Sequence, residues 1–195
     1  MGSLGRRRPR PLGEQFESVL TAAQCGTPWA LERLYQTLAP AVAGYLRVQG
    51  SSEPEDLTSD VFYSALSRID SFQGNETQFR SWVFTIAHNR LVDERRARMR
   101  RPVAVDQDEA ELFAARTGGD VEDEALRRLS TERVRALCDR LVPDQRDVLL
   151  LRMVGGLSLE QTADALGKTE GAIKALQHRA VGALRRLIER EGVSL

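Results

Sequence analysis

Apolar residues recur along this chain at helical spacing almost from end to end, and no stretch alternates convincingly as a strand would. Thr27-Pro28 pairs a capping residue with proline at a first helical position, and Leu31, Leu34, Tyr35 and Leu38 follow on one face. Ala41–Val48 carries the helix on after Pro40. Ser52-x-x-Glu55 has the form of a capping box and opens PEDLTSDVFYSALSRI. There Leu57, Val61, Phe62, Ala65 and Leu66 line one face, with Glu55, Asp56, Ser59 and Asp60 opposite or flanking it. After the loop SFQGNET a long helix is expected from Phe79 to about Arg98, with Phe79, Val83, Ile86 and Ala87 turned inward and a basic far end, DERRARMRR. The pattern predicts an all-α fold.

The helical order breaks over residues 102–125, which hold Pro102, the Gly118-Gly119 pair and many acids. This predicts two small helical domains, 14–101 and 126–195, joined by a flexible acidic linker over 102–125. The start, MGSLGRRRPRPLG (1–13), predicts a disordered basic arm whose Arg6, Arg7, Arg8 and Arg10 add non-specific attraction to phosphate. It lacks the apolar core of a signal peptide.

The second domain carries the most specific pattern. GLSLEQTADALGKTEGAIKALQHR reads as two short helices joined by a tight turn. Ser158 and Gln161 make a capping box, Leu159, Ala163 and Leu166 keep helical spacing, Gly167 ends the first helix and Thr169 caps the second. At 100° per residue Ile173, Leu176, Ala180, Leu184 and Leu187 share one side of that second helix. Gly171, Lys174, Ala175, His178, Arg185 and Arg186 share the other, with Arg179 at its edge. This is the form of a helix-turn-helix, whose second helix enters the DNA major groove.

A net charge of zero would by itself argue against a nucleic-acid partner. The zero conceals segregation: residues 1–101 carry +3, residues 102–125 carry −7 and residues 126–195 carry +4. Only Lys168 and Lys174 of the 28 basic residues are lysines. Arginine suits bidentate contact with phosphate and guanine, although GC-rich coding produces the same bias. Cys25 and Cys138 are isolated, and His88 and His178 stand at no metal-ligand spacing with them, so no metal or cofactor is expected. No Gly-rich phosphate loop or nucleophile motif points to an enzyme or a small-molecule substrate, and no apolar run is long enough to insert in a membrane.

Two blocks in order, PEDLTSDVFYSALSRIDSF with FRSWVFTIAHNRLVDERRAR, then LVPDQRDVLLLRMVGGLSLEQTADALGKTEGAIKALQHRA, resemble regions 2 and 4 of bacterial RNA polymerase sigma factors of the extracytoplasmic-function type. The resemblance covers nearly the whole chain beyond its first 14 residues. It implies a cytoplasmic protein that binds core RNA polymerase and directs it to promoter DNA, with no catalytic site. It places Asp56, Leu57, Asp60 and Phe62 in the polymerase-docking helix. It places Phe72, Gln73, Asn75, Asn89, Arg90, Arg95 and Arg96 at the melted −10 element, with Arg98 beside them on the phosphates. Asn89 matches the position that addresses an extruded base, where an amide offers both donor and acceptor. A buried asparagine satisfied by backbone would fit the pattern too, as a buried loop anchor would fit Phe72. Thr169, Lys174, Ala175, His178 and Arg179 match the −35 reader. There the chain departs from the family, which commonly has a small polar residue at Ala175, a basic one at Leu176 and an apolar one at Gln177. The resemblance also allows an anti-sigma partner, which no residue identifies. The alternative is a helix-turn-helix regulator that binds duplex DNA by itself, usually as a dimer, without docking on polymerase.

Overall fold

The computed structural model describes residues 11–100 and 135–190. The described residues contain no strand, and their helices are α1 (Phe16–Gln24), α2 (Pro28–Val48), α3 (Pro54–Leu66), α4 (Glu76–Arg100), α5 (Pro143–Met153), α6 (Leu159–Leu166) and α7 (Glu170–Arg190). Residues 135–139 are helical as well, and single 3-10 turns stand at Gly13–Gln15 and Ile69–Ser71. Helices α2, α3 and α5 each begin on a proline with no side-chain cap, so the preset φ of proline rather than a hydroxyl marks these starts.

Two expectations change here. The Ser52–Glu55 capping box does not form. The Ser52 N–H and hydroxyl both donate to Glu94 Oε1 of α4, at 2.9 and 2.6 Å, and Glu55 pairs with Arg47. The folded unit also starts ahead of residue 14. Leu12 is buried, and the N–H groups of Leu12 and Gly13 donate to the two carboxylate oxygens of Glu76 at 2.7 and 2.9 Å. The first ten residues of the arm predicted over 1–13, and the linker predicted over 102–125, lie outside the described residues.

Helices α1 to α4 enclose one core rich in rings, with Phe16, Tyr45, Phe62, Phe79 and Phe84 all at most 5% exposed. Phe79 touches Phe16 (5.8 Å between centroids), and Tyr45 meets Phe84 edge-on (5.6 Å). The C-terminal helices do not stand apart from it. Val148, Leu149, Leu150 and Leu151 are consecutive on α5 and all buried, so this stretch of helix is covered all round. Val148 packs with Ala163 and Ile173 of the helix-turn-helix, and Leu149 packs with Leu141 and Ala180. Leu150 and Leu151, with Cys138 and Leu157, join the N-terminal core. Gly155 leaves no room for a side chain: a Cβ there would lie 2.5 Å from the Leu151 carbonyl oxygen, 2.7 Å from Leu157 Cδ1 and 3.2 Å from Phe84 Cδ1 across the seam.

Polar groups close the same seam. Arg80 of α4 donates to the carbonyl oxygens of Val154 and Gly155, at the C-terminal end of α5, while its guanidinium lies over the Phe84 ring (5.3 Å). Burial lowers its pKa, an effect Glu76 opposes. Beside it runs a satisfied buried network. Gln49 Nε2 donates to Asp147 Oδ1 (2.6 Å) and to Tyr45 Oη (3.4 Å), and Tyr45 stands 3.0 Å from His88 Nδ1. With the tyrosine hydroxyl donating onward, Nδ1 is the acceptor nitrogen of a neutral imidazole. Arg95 Nη2 donates to both oxygens of Gln49, at 2.8 and 3.0 Å, and its Nη1 pairs with Asp147 at 3.8 Å. Burial raises the Tyr45 pKa, with Asp147 adding to it. Burial also lowers the His88 pKa, more than Asp147 raises it.

Candidate nucleic-acid interface

Helices α6 and α7 form the predicted helix-turn-helix from local causes. The Ser158 hydroxyl accepts from the Gln161 N–H at 3.1 Å, and the Gln161 carboxamide accepts from the Ser158 N–H at 2.9 Å. Gly167 sits in the left-handed region at φ 61°, where it lets the chain turn and Lys168 N–H bond the Ala163 carbonyl at 2.9 Å. The Thr169 hydroxyl then accepts from Ala172 N–H at 3.3 Å and starts α7. With Ile173 and Ala180 fully buried, the opposite face is set: Gly171, Lys174, Ala175, His178, Arg179, Arg185 and Arg186 are all exposed. Leu176 packs against the Val148 cluster, and Gln177, half-buried, accepts from Arg152 Nε at 3.3 Å. The side chains at these two positions are therefore absorbed inside the domain, and the outward face is the one that the 100° spacing predicts. Arg179 Nε donates back to the Ala175 carbonyl at 3.2 Å, while Lys174 and His178 have no side-chain partner among the described residues.

The second set of predicted residues surrounds α4. The N-terminus of α4 is capped reciprocally: the Asn75 carboxamide oxygen accepts from Gln78 N–H and the Gln78 oxygen from Asn75 N–H, both at 2.9 Å. Asn75 thus has a structural duty that its assignment to DNA did not foresee, visible in hindsight as an Asn-x-x-Gln box. Phe72 is half-buried, stacked on Trp82 (5.1 Å, 25° between planes) and edge-on to Phe79 (5.3 Å), so it anchors the loop. Gln73 is exposed and, with Phe72, Asp70 and Gln24, lines a cleft of about 790 Å³ between α1 and the loop.

Asn89 and Arg90 are exposed. The Asn89 amide makes no hydrogen bond among the described residues, so the reading of a buried, backbone-satisfied asparagine is not what the structure has. Asn89 does not line the cleft by the loop. Fourteen residues of helix separate it from Asn75, roughly 20 Å along the axis at 1.5 Å per residue. Arg96 pairs with Asp93 at 3.7 Å and remains exposed, and Arg98 lies 4.0 Å from Glu94. Arg95 is a correction: its guanidinium is half-buried and engaged by Gln49 and Asp147, unlike the exposed Arg90 and Arg96.

On α3, Asp56 and Asp60 are exposed and Leu57 is half-buried, but Phe62 is only 2% exposed and meets Tyr35 edge-on at 4.8 Å. Phe62 holds the helix in place and presents nothing to a partner. The exposed ring of α3 is Tyr63, at 80%, which the sequence reading does not single out. Asp56, Ser59, Asp60 and Tyr63 fall at i, i+3, i+4 and i+7, one continuous outer stripe. A ring at the polar side of that spacing was the available signal. Asp56, Leu57 and Asp60 border a cleft of about 260 Å³ together with Glu94 and Arg98. Burial pushes the Glu94 carboxyl up, but hydrogen bonds from Ser52 and Ser51 and the charge of Arg98 outweigh it and hold the group below the usual carboxylate range.

No group of three or more His, Cys, Asp or Glu among the described residues could hold a metal ion, and no described helix is long and apolar enough to cross a membrane. With this geometry in place, comparison with known proteins is specific. Residues 34–101 match the Sigma-70 region 2 family and residues 137–186 the Sigma-70, region 4 family. The chain is 39% identical over 173 residues to the ECF RNA polymerase sigma factor BldN of Streptomyces coelicolor, covering 87% of this chain and 64% of that longer protein. It is 30% identical over 179 residues to the ECF RNA polymerase sigma factor SigD of Mycobacterium tuberculosis, covering 89% of this chain and 84% of that one. The fold is similar to that of CnrH in its complex with the cytosolic domain of CnrY, with a TM-score of 0.65 at 23% identity over 91% of this chain and 99% of that one. The two region matches, in order and on the two helical units described above, settle the family: the chain belongs to the extracytoplasmic-function group of RNA polymerase sigma factors.

Proposed function

We propose that this chain binds core RNA polymerase in the cytoplasm and directs it to promoters, with α7 reading the −35 element as duplex and α4 with its preceding loop reading a melted −10 strand. It acts without a catalytic site. The observation that carries this reading is the outer face of α7: Lys174, Ala175, His178 and Arg179 are all exposed on a capped recognition helix whose opposite side buries Ile173 and Ala180. Polymerase docking falls to the acidic stripe Asp56, Asp60 and the exposed Tyr63, with Leu57 at its edge; charge of this kind steers and registers a basic partner. An anti-sigma protein competing for these faces belongs to the same proposal.

The spacing along α4 refines the −10 reading. At the ~3.4 Å per stacked nucleotide of one strand, the roughly 20 Å between the loop and Asn89 corresponds to about six nucleotides, fewer on an extended strand. Gln73 and Asn75 at one end and Asn89 with Arg90 at the other therefore address different bases. Run-off transcription with purified core polymerase tests the whole reading: transcripts should require the chain, and duplex promoter binding should be weak without polymerase. Tight polymerase-independent binding would favour the stand-alone regulator. Asn89→Ala should retain its melting temperature and polymerase affinity and change base preference at one −10 position; a destabilised variant with an unaltered profile would remove Asn89 from recognition.

A further inference from the structure

Helix α1 lies ahead of residue 34, where the region 2 match begins, so the family comparison says nothing about its role. Its last residue, Gln24, makes the contact that joins it to the loop. The two hydrogens of one carboxamide nitrogen reach two carbonyls: Gln24 Nε2 donates to Ile69 O at 3.1 Å and to Phe72 O at 2.8 Å. These carbonyls bracket the 3-10 turn Ile69–Ser71: Ile69 O also accepts the Phe72 N–H at 3.1 Å, which closes the turn, and Gln24 ties that closed turn and the carbonyl that follows it to α1. The other end of the segment is held from the same side of the molecule, because Glu76 accepts the N–H groups of Leu12 and Gly13. Between the two pins only Gln73, Gly74 and Asn75 project as exposed chain.

We infer that Gln24 is a positioning residue for −10 recognition: by clamping the carbonyls of Ile69 and Phe72, it fixes where the exposed Gln73–Asn75 tip meets an extruded base of the melted strand. This rests on the proposed function above. The physical gain is pre-organisation. A tip pinned at both ends loses little further freedom on meeting the strand, whereas a tip released at Phe72 must be ordered at the moment of binding. Gln24 is half-buried and need not touch DNA itself. Its contribution passes through backbone carbonyls, which explains why no side-chain motif at the loop announces it.

The test uses the full chain with core polymerase and a promoter library randomised over both elements. Gln24→Met keeps the length and volume of the side chain and removes both donors. It should lower transcription from the preferred promoter about tenfold, the scale of two neutral hydrogen bonds, and flatten preference at a −10 position distinct from the one Asn89→Ala alters. Its −35 profile and its affinity for core polymerase should stay unchanged. Gln24→Ala should repeat the pattern. If Asn89→Ala shifts the profile and Gln24→Met does not, Gln24 has no positioning role while the −10 reading stands. If neither shifts it, the −10 reading itself has failed. A uniform loss of activity with a lowered melting temperature in both Gln24 variants, or failure of both to fold, makes Gln24 a structural residue and overturns the inference.

Discussion

The N-terminal and C-terminal units differ most in their rings. Of the 11 aromatic residues, ten lie at or before Phe84, the other is Phe113, and none follows it. The first unit builds its core on Phe16, Tyr45, Phe62, Phe79 and Phe84 and spreads Phe72 and Trp82 toward the loop. The second has only aliphatic side chains and fills its own core with two small clusters around Val148 and Leu149. The five core rings are at most 5% exposed and serve packing alone, so only the half-buried Phe72 and Trp82 bear on the kind of DNA this unit is proposed to meet. Unpaired bases are held by stacking and by pockets, which rings supply. Duplex is read at the groove edges by Lys, Arg and small residues on a helix, which needs no ring. The cost of an aromatic-free domain is a small core, and α5 offsets it by turning Leu150 and Leu151 into the core of its neighbour.

If the second unit leans on the first in this way, damage to the shared helix should be felt widely. Leu151→Ala removes a side chain with no exposure and should destabilise the protein by about 2–5 kcal/mol. Chemical denaturation followed by circular dichroism should show it, and a loss under 1 kcal/mol would mean that α5 does not need its neighbour. Asp147→Ala comes next. It strips the acceptor from Gln49 and the counter-charge from Arg95, at a cost of about 1–3 kcal/mol. The two units should separate, seen as a larger radius of gyration in solution scattering; an unchanged radius would show that apolar packing alone closes the seam.

Lys174→Ala sharpens the other half of the comparison. Base contact by the unpartnered ammonium predicts a loss of about 1–3 kcal/mol confined to one −35 position, and phosphate contact a uniform loss with a shallower salt dependence. Transcription from a −35 library at two salt concentrations separates them. The smallest effect expected is a pH dependence. The folded pKa of His88 is lowered below its ordinary 6.5, so the unfolded chain binds the proton more readily. Its contribution to stability is complete above pH 6.5 and is lost as pH falls through the lowered folded value. Melting temperatures measured from pH 7.5 downward should show this decline, and His88→Gln should make it shallower.

The helical class and the helix-turn-helix were legible because their causes are local. Ser158 with Gln161, Gly167 and Thr169 act on neighbours within a turn, and the angular stripe from Ile173 onward needs no knowledge of the rest of the chain. What escaped was set by distant competitors. Ser52 had the right partner three residues away and bonded Glu94 instead, 42 residues on. Arg95 looked like one arginine in a basic run, and only Gln49 and Asp147, brought beside it by folding, distinguish it from Arg96. Phe62 was assigned to a surface by family position although its place in the apolar stripe already argued for burial. The run Val148–Leu151 held a readable clue to the seam, since four successive apolar residues on a helix leave no face for water.

The stack of Trp82 on Phe72 gives the protein a built-in optical reporter. Every tryptophan and tyrosine lies at or before Trp82, and the only other tryptophan, Trp29, is 56% exposed. Tryptophan emission therefore divides into a solvent-like component from Trp29 and a shielded, shorter-wavelength one from the indole beneath the loop. A strand settling at that loop would perturb the second component directly. Duplex bound only at α7 would leave both nearly silent, so one unlabelled sample distinguishes engagement of the two halves of a promoter.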